Sequence, residues 1–295
     1  MDKLTQTEGL LAELIAFPTI SADSNLDLIN WAGEYLRHLG ANAEVSTDST
    51  GQKANLFATF GPEGNGGMVL SGHSDVVPVA DQDWSSDPFT MVTRDDRLYG
   101  RGTCEMKGFI ACVLALAPEM ARWSLTRPLH IALTYDEETG CLGAQQLVRD
   151  LHKRDIRPAM AIIGEPTSLQ VIDGHKGCYE YTTHITGLEG HGSAPDRGVN
   201  AAVIATRYAT RLLELEAELR SRAPADSPYD PPWSTINIGK IAGGVAHNVI
   251  PGLAEVEWDL RPIHTDDADF VLDQIDQYAQ GLLPAMQAVD PSATI

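Results

Sequence analysis

Met68–Asp75 reads MVLSGHSD, a short apolar run and a glycine followed by His73 and Asp75. Two later stretches repeat the plan: Leu129–Glu138 reads LHIALTYDEE and Pro158–Glu165 reads PAMAIIGE. Short apolar runs bounded by turn formers predict buried strands. Between the first two runs lies Lys107–Met120, apolar on nearly every side as a buried helix should be. Upstream, Leu26, Ile29, Ala32, Leu36 and Leu39 recur at helical spacing until Gly40, and Asn55–Phe60 forms a further apolar run. Strands alternating with helices predict an α/β sheet covered on both faces.

In an open α/β sheet, ligands bind beyond the carboxyl ends of the strands. His73, Asp75, Asp136, Glu137, Glu138 and Glu165 all follow strand-like runs and are expected to converge on one crevice. Glu105 stands in GRGTCEMKG, just ahead of the buried helix, and is expected to join them. One imidazole among several carboxylates suits a hard to borderline cation such as Zn²⁺, Co²⁺ or Mn²⁺. Taken singly, each residue also has an ordinary structural reading: a packed histidine, a solvated acidic turn, a Gly-Glu-Pro-Thr turn. Their joint occurrence at three strand ends favours the site.

The pattern changes near residue 176. Lys176–Gly187 alternates like a half-exposed strand, and Asn200–Arg222 carries Ile204, Tyr208, Leu212, Leu215 and Leu219 at helical spacing. Strand-like runs at 235–242 and 254–261 and a helix from about 267 to 283 complete a β-α-β-β-α order, which predicts a small ferredoxin-like α+β domain inserted in the first. Residues 1–175 are expected to form the metal-binding catalytic domain and 176–284 the inserted dimerisation or lid domain. Residues 285–295 are expected to begin a return to the first domain, with Ser292–Ile295 starting a strand.

The chain has 295 residues, enough for one large domain or two of ordinary size. Its 41 acidic residues against 21 basic ones give a net charge of −20, which disfavours nucleic acid and anionic membrane as partners. No stretch approaches ~18 uninterrupted apolar residues, and the N-terminus, MDKLTQTEGLLAELIAF, reads as an amphipathic helix rather than a signal peptide. A cytoplasmic location is expected. Cys104, Cys112, Cys141 and Cys178 form no CxxC pair and are expected to be reduced thiols, mostly packing residues.

Seven motifs in order carry a resemblance: SGHSDVVP, LYGRGTCEMKG, DEETGCLGA, IIGEPT, GHGSAPDRGVNAA, GGVAHNVIP and DLRP. Together they resemble the acetylornithine deacetylase, succinyl-diaminopimelate desuccinylase and carboxypeptidase G metallohydrolases, with the wording of TCEMKG and GCLGA nearest the first branch. The resemblance implies hydrolysis of an N-acyl amino acid, N²-acetylornithine to ornithine and acetate, in arginine biosynthesis. Acetylcitrulline or a succinylated diamine such as succinyl-diaminopimelate is the alternative substrate, and a non-catalytic dimeric binding homologue the alternative function.

By the same resemblance, His73 binds a first metal with Asp75 orienting its ring, Glu105 bridges two metals, Glu165 completes the first site and Glu138 belongs to the second. Glu137 is the general base. His191 reaches across a homodimer formed through the inserted domain to steady the oxyanion, and Asn248 and Arg261 contact substrate. Two departures qualify this. The family carries Asp where this chain has Glu105, and its second-site histidine lies in a C-terminal segment beyond the last histidine here, His264. One tight Zn²⁺ or Co²⁺ site and a weaker second are therefore expected.

Overall fold

The computed structural model describes residues 2–80 and 82–295. They divide into two compact units, Met1–Gln170 and Val171–Ile295.

The first unit opens with α1 (Lys3–Ile15), capped by the Asp2 carboxylate, which accepts the Thr5 amide at 2.8 Å. Then come α2 (Leu26–His38), β1 (Asn42–Thr47), β2 (Ala54–Phe60) and β3 (Met68–His73). A small hairpin, β4 (Val92–Arg94) and β5 (Arg97–Tyr99), precedes α3 (Lys107–Met120), β6 (Leu129–Thr134), α4 (Leu142–Lys153) and β7 (Met160–Ile163). Five strands form one sheet in the order β1-β2-β6-β3-β7. Its β1-β2-β6 part is antiparallel and its β6-β3-β7 part parallel.

Alternation sorts the sheet's side chains onto two faces. Leu56, Ala58, Phe60, Ile131 and Leu133 pack with Leu14, Ile29, Leu36, Ile110 and Leu114 of α1, α2 and α3. Phe57, Val69 and Ala132 pack with Leu147 of α4 on the other. Every residue of β6 is buried, as a near-continuous apolar run in a covered strand should be.

The second unit runs β8 (Tyr179–Thr186), β9 (Gly190–His191), α5 (Ala201–Ser221), β10 (Thr235–Gly243), β11 (Val249–Ile250), β12 (Leu253–Arg261) and α6 (Thr265–Gln287). An antiparallel sheet in the order β10-β12-β8 buries Ile185, Val256, Trp258 and Leu260 against α5 and α6, and β9 pairs with β11. This is the β-α-β-β-α arrangement expected from the sequence, with the short β9–β11 pair added.

Four expectations differ from what is observed. β7, expected as a buried strand, is exposed at all four of its residues, and the first unit ends at Gln170 rather than at residue 175. Residues 285–295 lie in the second unit: α6 continues to Gln287, Met286 and Ala293 are buried in its core, and Thr294 exchanges both backbone hydrogen bonds with Thr186 at 3.0 Å. The apolar face of α6 simply extends, so the residues after it pack into this unit's core. The four cysteines are free and exposed, not packed. Cys104 sits in a turn, Cys141 at the N-cap of α4, Cys178 just ahead of β8, and Cys112 on the outward face of α3.

Candidate metal centre

The parallel register of β3, β6 and β7 brings their carboxyl ends side by side, with His73 opposite Thr134 and Ser71 opposite Ile163. Beyond those ends the chain carries His73, the Asp136–Glu138 turn and Glu165, as the strand order requires. Glu105 arrives from the turn before α3, joined to Met106 by a cis peptide bond.

Close packing fixes these positions. A Cβ on Gly164 would lie 2.0 Å from Cγ of Phe109, so only glycine passes there between β7 and Glu165. At Gly143 a Cβ would lie 2.5 Å from the amide nitrogen of Tyr135, which lets α4 start directly against the end of β6. Asp136 takes a left-handed backbone, φ 51°, and so reverses the chain directly after β6.

His73 is buried, and its Nε2 faces the acids: Glu105 Oε1 at 2.9 Å and Glu137 Oε2 at 3.9 Å. One candidate donor atom from each of His73, Glu105 and Glu165 lies within 4.8 Å of the other two, and the same holds for His73, Glu137 and Glu138. Nδ1 of His73 lies 2.9 Å from the backbone oxygen of Asp75 and 3.4 Å from its carboxylate. The Asp75 carboxylate accepts the Ser21 hydroxyl at 2.7 Å and the amides of Glu137 and Glu138 at 3.1 and 3.3 Å.

Crowding shows in the charges. Burial opposes protonation of His73, but hydrogen bonds to Asp75 and Glu105 outweigh it and raise its pKa to about 10. Lost hydration and the adjacent Glu105 raise Glu165 to about 7, and burial raises Glu138. Burial opposes ionisation of Asp75 too, yet its hydrogen bonds with His73 and Ser21 hold its carboxyl below the ordinary range. A divalent cation among these groups reverses the cost of gathering the carboxylates. The donor set, one imidazole with oxygen ligands, fits such an ion.

Three residues of this neighbourhood receive no role from the sequence, although Lys107 stands in the TCEMKG motif. Lys107 is fully buried, donates to the carbonyls of Leu14 at 3.0 Å and Phe17 at 2.7 Å, and is pushed down to about 7 by burial. It ties the start of α3, and with it Glu105, to carbonyls at the end of α1. Ser21 and Lys53 hold the acids from behind. Asp136, grouped with the acids in the sequence, instead pairs with Lys53 at 2.7 Å.

The residues expected from the second unit are all exposed there. His191 lies on β9 with Nδ1 2.8 Å from the Ser193 hydroxyl, and the carbonyl of Asn248 accepts the Gly192 amide at 2.7 Å. Arg261 pairs with Asp259 at 3.2 Å.

A histidine and carboxylates gathered at the carboxyl ends of the parallel strands β3, β6 and β7 make a site for a divalent cation, and the comparisons with known proteins place the chain among metal-dependent amidohydrolases. Residues 69–293 match the model of peptidase family M20/M25/M40, and the chain belongs to that family. It is 39% identical over 270 residues to an acetylornithine deacetylase of Pasteurella multocida, covering 89% of this chain and 69% of the relative. The fold is similar to that of an M20 family metallo-carboxypeptidase from Sulfolobus solfataricus, with TM-score 0.74 at 18% identity over 97% of this chain and 76% of the other. It is also similar to a di-peptidase of Saccharomyces cerevisiae, with TM-score 0.67 at 15% identity over 99% and 76%. Among the described residues, no helix is long and apolar enough to cross a membrane.

Proposed function

We propose that this chain hydrolyses the amide bond of an N-acyl amino acid, with N²-acetylornithine as the leading substrate. The observation that carries the substrate is the 39% identity to the Pasteurella deacetylase across most of both chains. His73, Glu105 and Glu165 would hold one divalent ion, and Glu138 would serve a second. When bound, a divalent cation such as Zn²⁺ or Co²⁺ supplies polarisation of the scissile carbonyl and acidification of the attacking water.

Glu137 is the proposed base. Its Oε2 stands 3.9 Å from His73 Nε2, too far for a hydrogen bond, with a side chain still 37% exposed. Oε1 accepts from the Cys141 thiol at 3.7 Å, which leaves Oε2 to take the proton of a water attacking the carbonyl and return it to the leaving amine. Asp75 orients the turn carrying Glu137 and Glu138 through their amides.

Glu105 stands where the family has Asp, and its carboxylate still reaches His73 Nε2 at 2.9 Å, which supports a ligand role for it. The family resemblance supports His191 as the residue that steadies the oxyanion across a homodimer formed through residues 176–284, and Asn248 and Arg261 as substrate contacts. Light scattering at micromolar concentration checks the dimer, and a monomer would remove it.

The direct test is release of free amine from a panel of N-acyl amino acids with Zn²⁺ or Co²⁺ supplied. Acetylornithine should lead acetylcitrulline and succinyl-diaminopimelate in kcat/KM. No turnover of any panel member would end the hydrolytic reading.

A further inference from the structure

Behind the candidate metal centre lies a closed ring of polar contacts containing no proposed metal ligand of the first site. Nζ of Lys53 donates to Asp136 Oδ1 at 2.7 Å and to the backbone oxygen of Ser21. The hydroxyl of Ser21 donates to Asp75 Oδ2 at 2.7 Å. The two oxygens of Asp75 accept the amides of Glu137 and Glu138, and the peptide chain leads back to Asp136.

The Lys53–Asp136 pair is largely withdrawn from water, with side chains 12% and 13% exposed. Removing one partner of such a pair leaves the other charge uncompensated in a poorly hydrated place. Asp136 also holds a left-handed backbone that a non-glycine residue adopts only when its surroundings enforce it. Lys53 is the side chain that grips it. The residues on either side of the grip are unequal in consequence: Tyr135 directly follows the buried strand β6, whereas Glu137 and Glu138 begin the acidic turn.

We propose that Lys53 is a positioning residue for the base: by clasping Asp136 and the Ser21 carbonyl together, it fixes the Glu137–Glu138 turn against Asp75. Its importance for turnover rests on the reading of Glu137 as proton acceptor, but its hold on the turn does not. A catalytic carboxylate displaced by about 1 Å loses up to ~10²-fold in rate, so a residue that never meets substrate can still govern kcat.

The experiment compares Lys53→Met, Lys53→Arg, Asp136→Asn and the Lys53→Met/Asp136→Asn double variant with the parent. Hydrogen–deuterium exchange of the peptide spanning residues 134–142, followed without added metal, reads the turn itself. Lys53→Met should exchange there about tenfold faster, and Lys53→Arg should restore protection. With Zn²⁺ and N-acetyl amino acids, kcat of Lys53→Met should fall ~10–100-fold while KM and metal content hold. The double variant should lose no more than the worse single one, because both substitutions remove the same ion pair.

Unchanged exchange at 134–142 in both Lys53→Met and Asp136→Asn would overturn the proposal. So would strictly additive losses in the double variant. Should Lys53→Met not fold, Asp136→Asn, which removes the charge but keeps the side-chain volume, gives the same readings in weaker form. If the parent itself turns over no amide, the hydrolytic reading falls alone and the exchange data still decide the role of Lys53.

Discussion

The ring of His73 is anchored by the main chain of Asp75: Nδ1 lies 2.9 Å from the backbone oxygen and 3.4 Å from the carboxylate. The carboxylate thereby serves a second purpose. It accepts the Ser21 hydroxyl and the amides of Glu137 and Glu138, linking the histidine end of β3 to the acidic turn after β6. One residue sets the spacing between a proposed ligand and the proposed base.

Asp75→Asn should therefore do more than neutralise a charge. Its new NH₂ group would face donors wherever it is turned, since both oxygens now accept backbone amides. Metal affinity should fall by about 10–100-fold, as for other residues that brace a ligand. Competition with a chromophoric chelator measures it. Affinity within twofold of the parent would show that the brace is dispensable.

Glu137→Gln removes the proposed proton acceptor and leaves His73, Glu105 and Glu165 in place. Turnover should drop by ~10²–10⁴-fold, the usual worth of a positioned acid–base group. Bound metal at the tight site should be unchanged by elemental analysis. His73→Ala should do the reverse and lose the metal first. A Glu137→Gln protein with most of the parent's kcat would assign the base elsewhere.

Much of this architecture can be read along the chain because it depends on order alone. Apolar runs of MVLSG, LHIALT and MAII type place strands, and an open sheet puts whatever follows them at one edge. His73, Glu137, Glu138 and Glu165 needed no more than that. Lys53 could not be found this way, since its partners Ser21 and Asp136 lie 32 and 83 residues off and no period connects them. Lys107 is hidden for a related reason. A lysine opening a helix normally reads as solvated, yet carbonyls 90 and 93 residues earlier hold it in the core. The C-terminal residues are strand-like in sequence, but which sheet they join depends on a partner, Thr186, more than a hundred residues earlier, and their burial is in the second unit's core.

Gly164→Ala tests how far the site depends on close packing at β7. The new Cβ would meet the Phe109 ring at 2.0 Å from Cγ, near the base of that side chain rather than at a mobile tip. The ring or the strand end must move, at a cost of about 1–3 kcal/mol. Glu165 follows directly, so the metal-loaded protein should lose more stability than the metal-free one. Urea unfolding with and without Zn²⁺ reads both, and an equal loss in each would confine the effect to packing.

His130 makes a prediction at the opposite end of β6. Its ring is 3% exposed and stacks on Phe57 with centroids 4.7 Å apart. Nδ1 lies 2.8 Å from the Thr59 hydroxyl, and Nε2 is buried without a hydrogen-bond partner among the described residues. Burial, and then the charge of Arg154, hold its pKa below the ordinary 6.5; Arg154 itself pairs with Glu44 at 2.7 Å. The folded protein therefore binds this proton less readily than the unfolded chain does. By linkage, the stability that neutral His130 contributes is whole above the unfolded pKa and is lost as pH falls through it toward the lower folded value. Replacing His130 with Gln, which cannot titrate and can still accept from Thr59, should remove this dependence. Urea midpoints at pH 7.5 and pH 5.5 compare the two proteins. The parent should lose more stability on acidification than His130→Gln, and equal losses would mean that the ring is already accommodated as a cation.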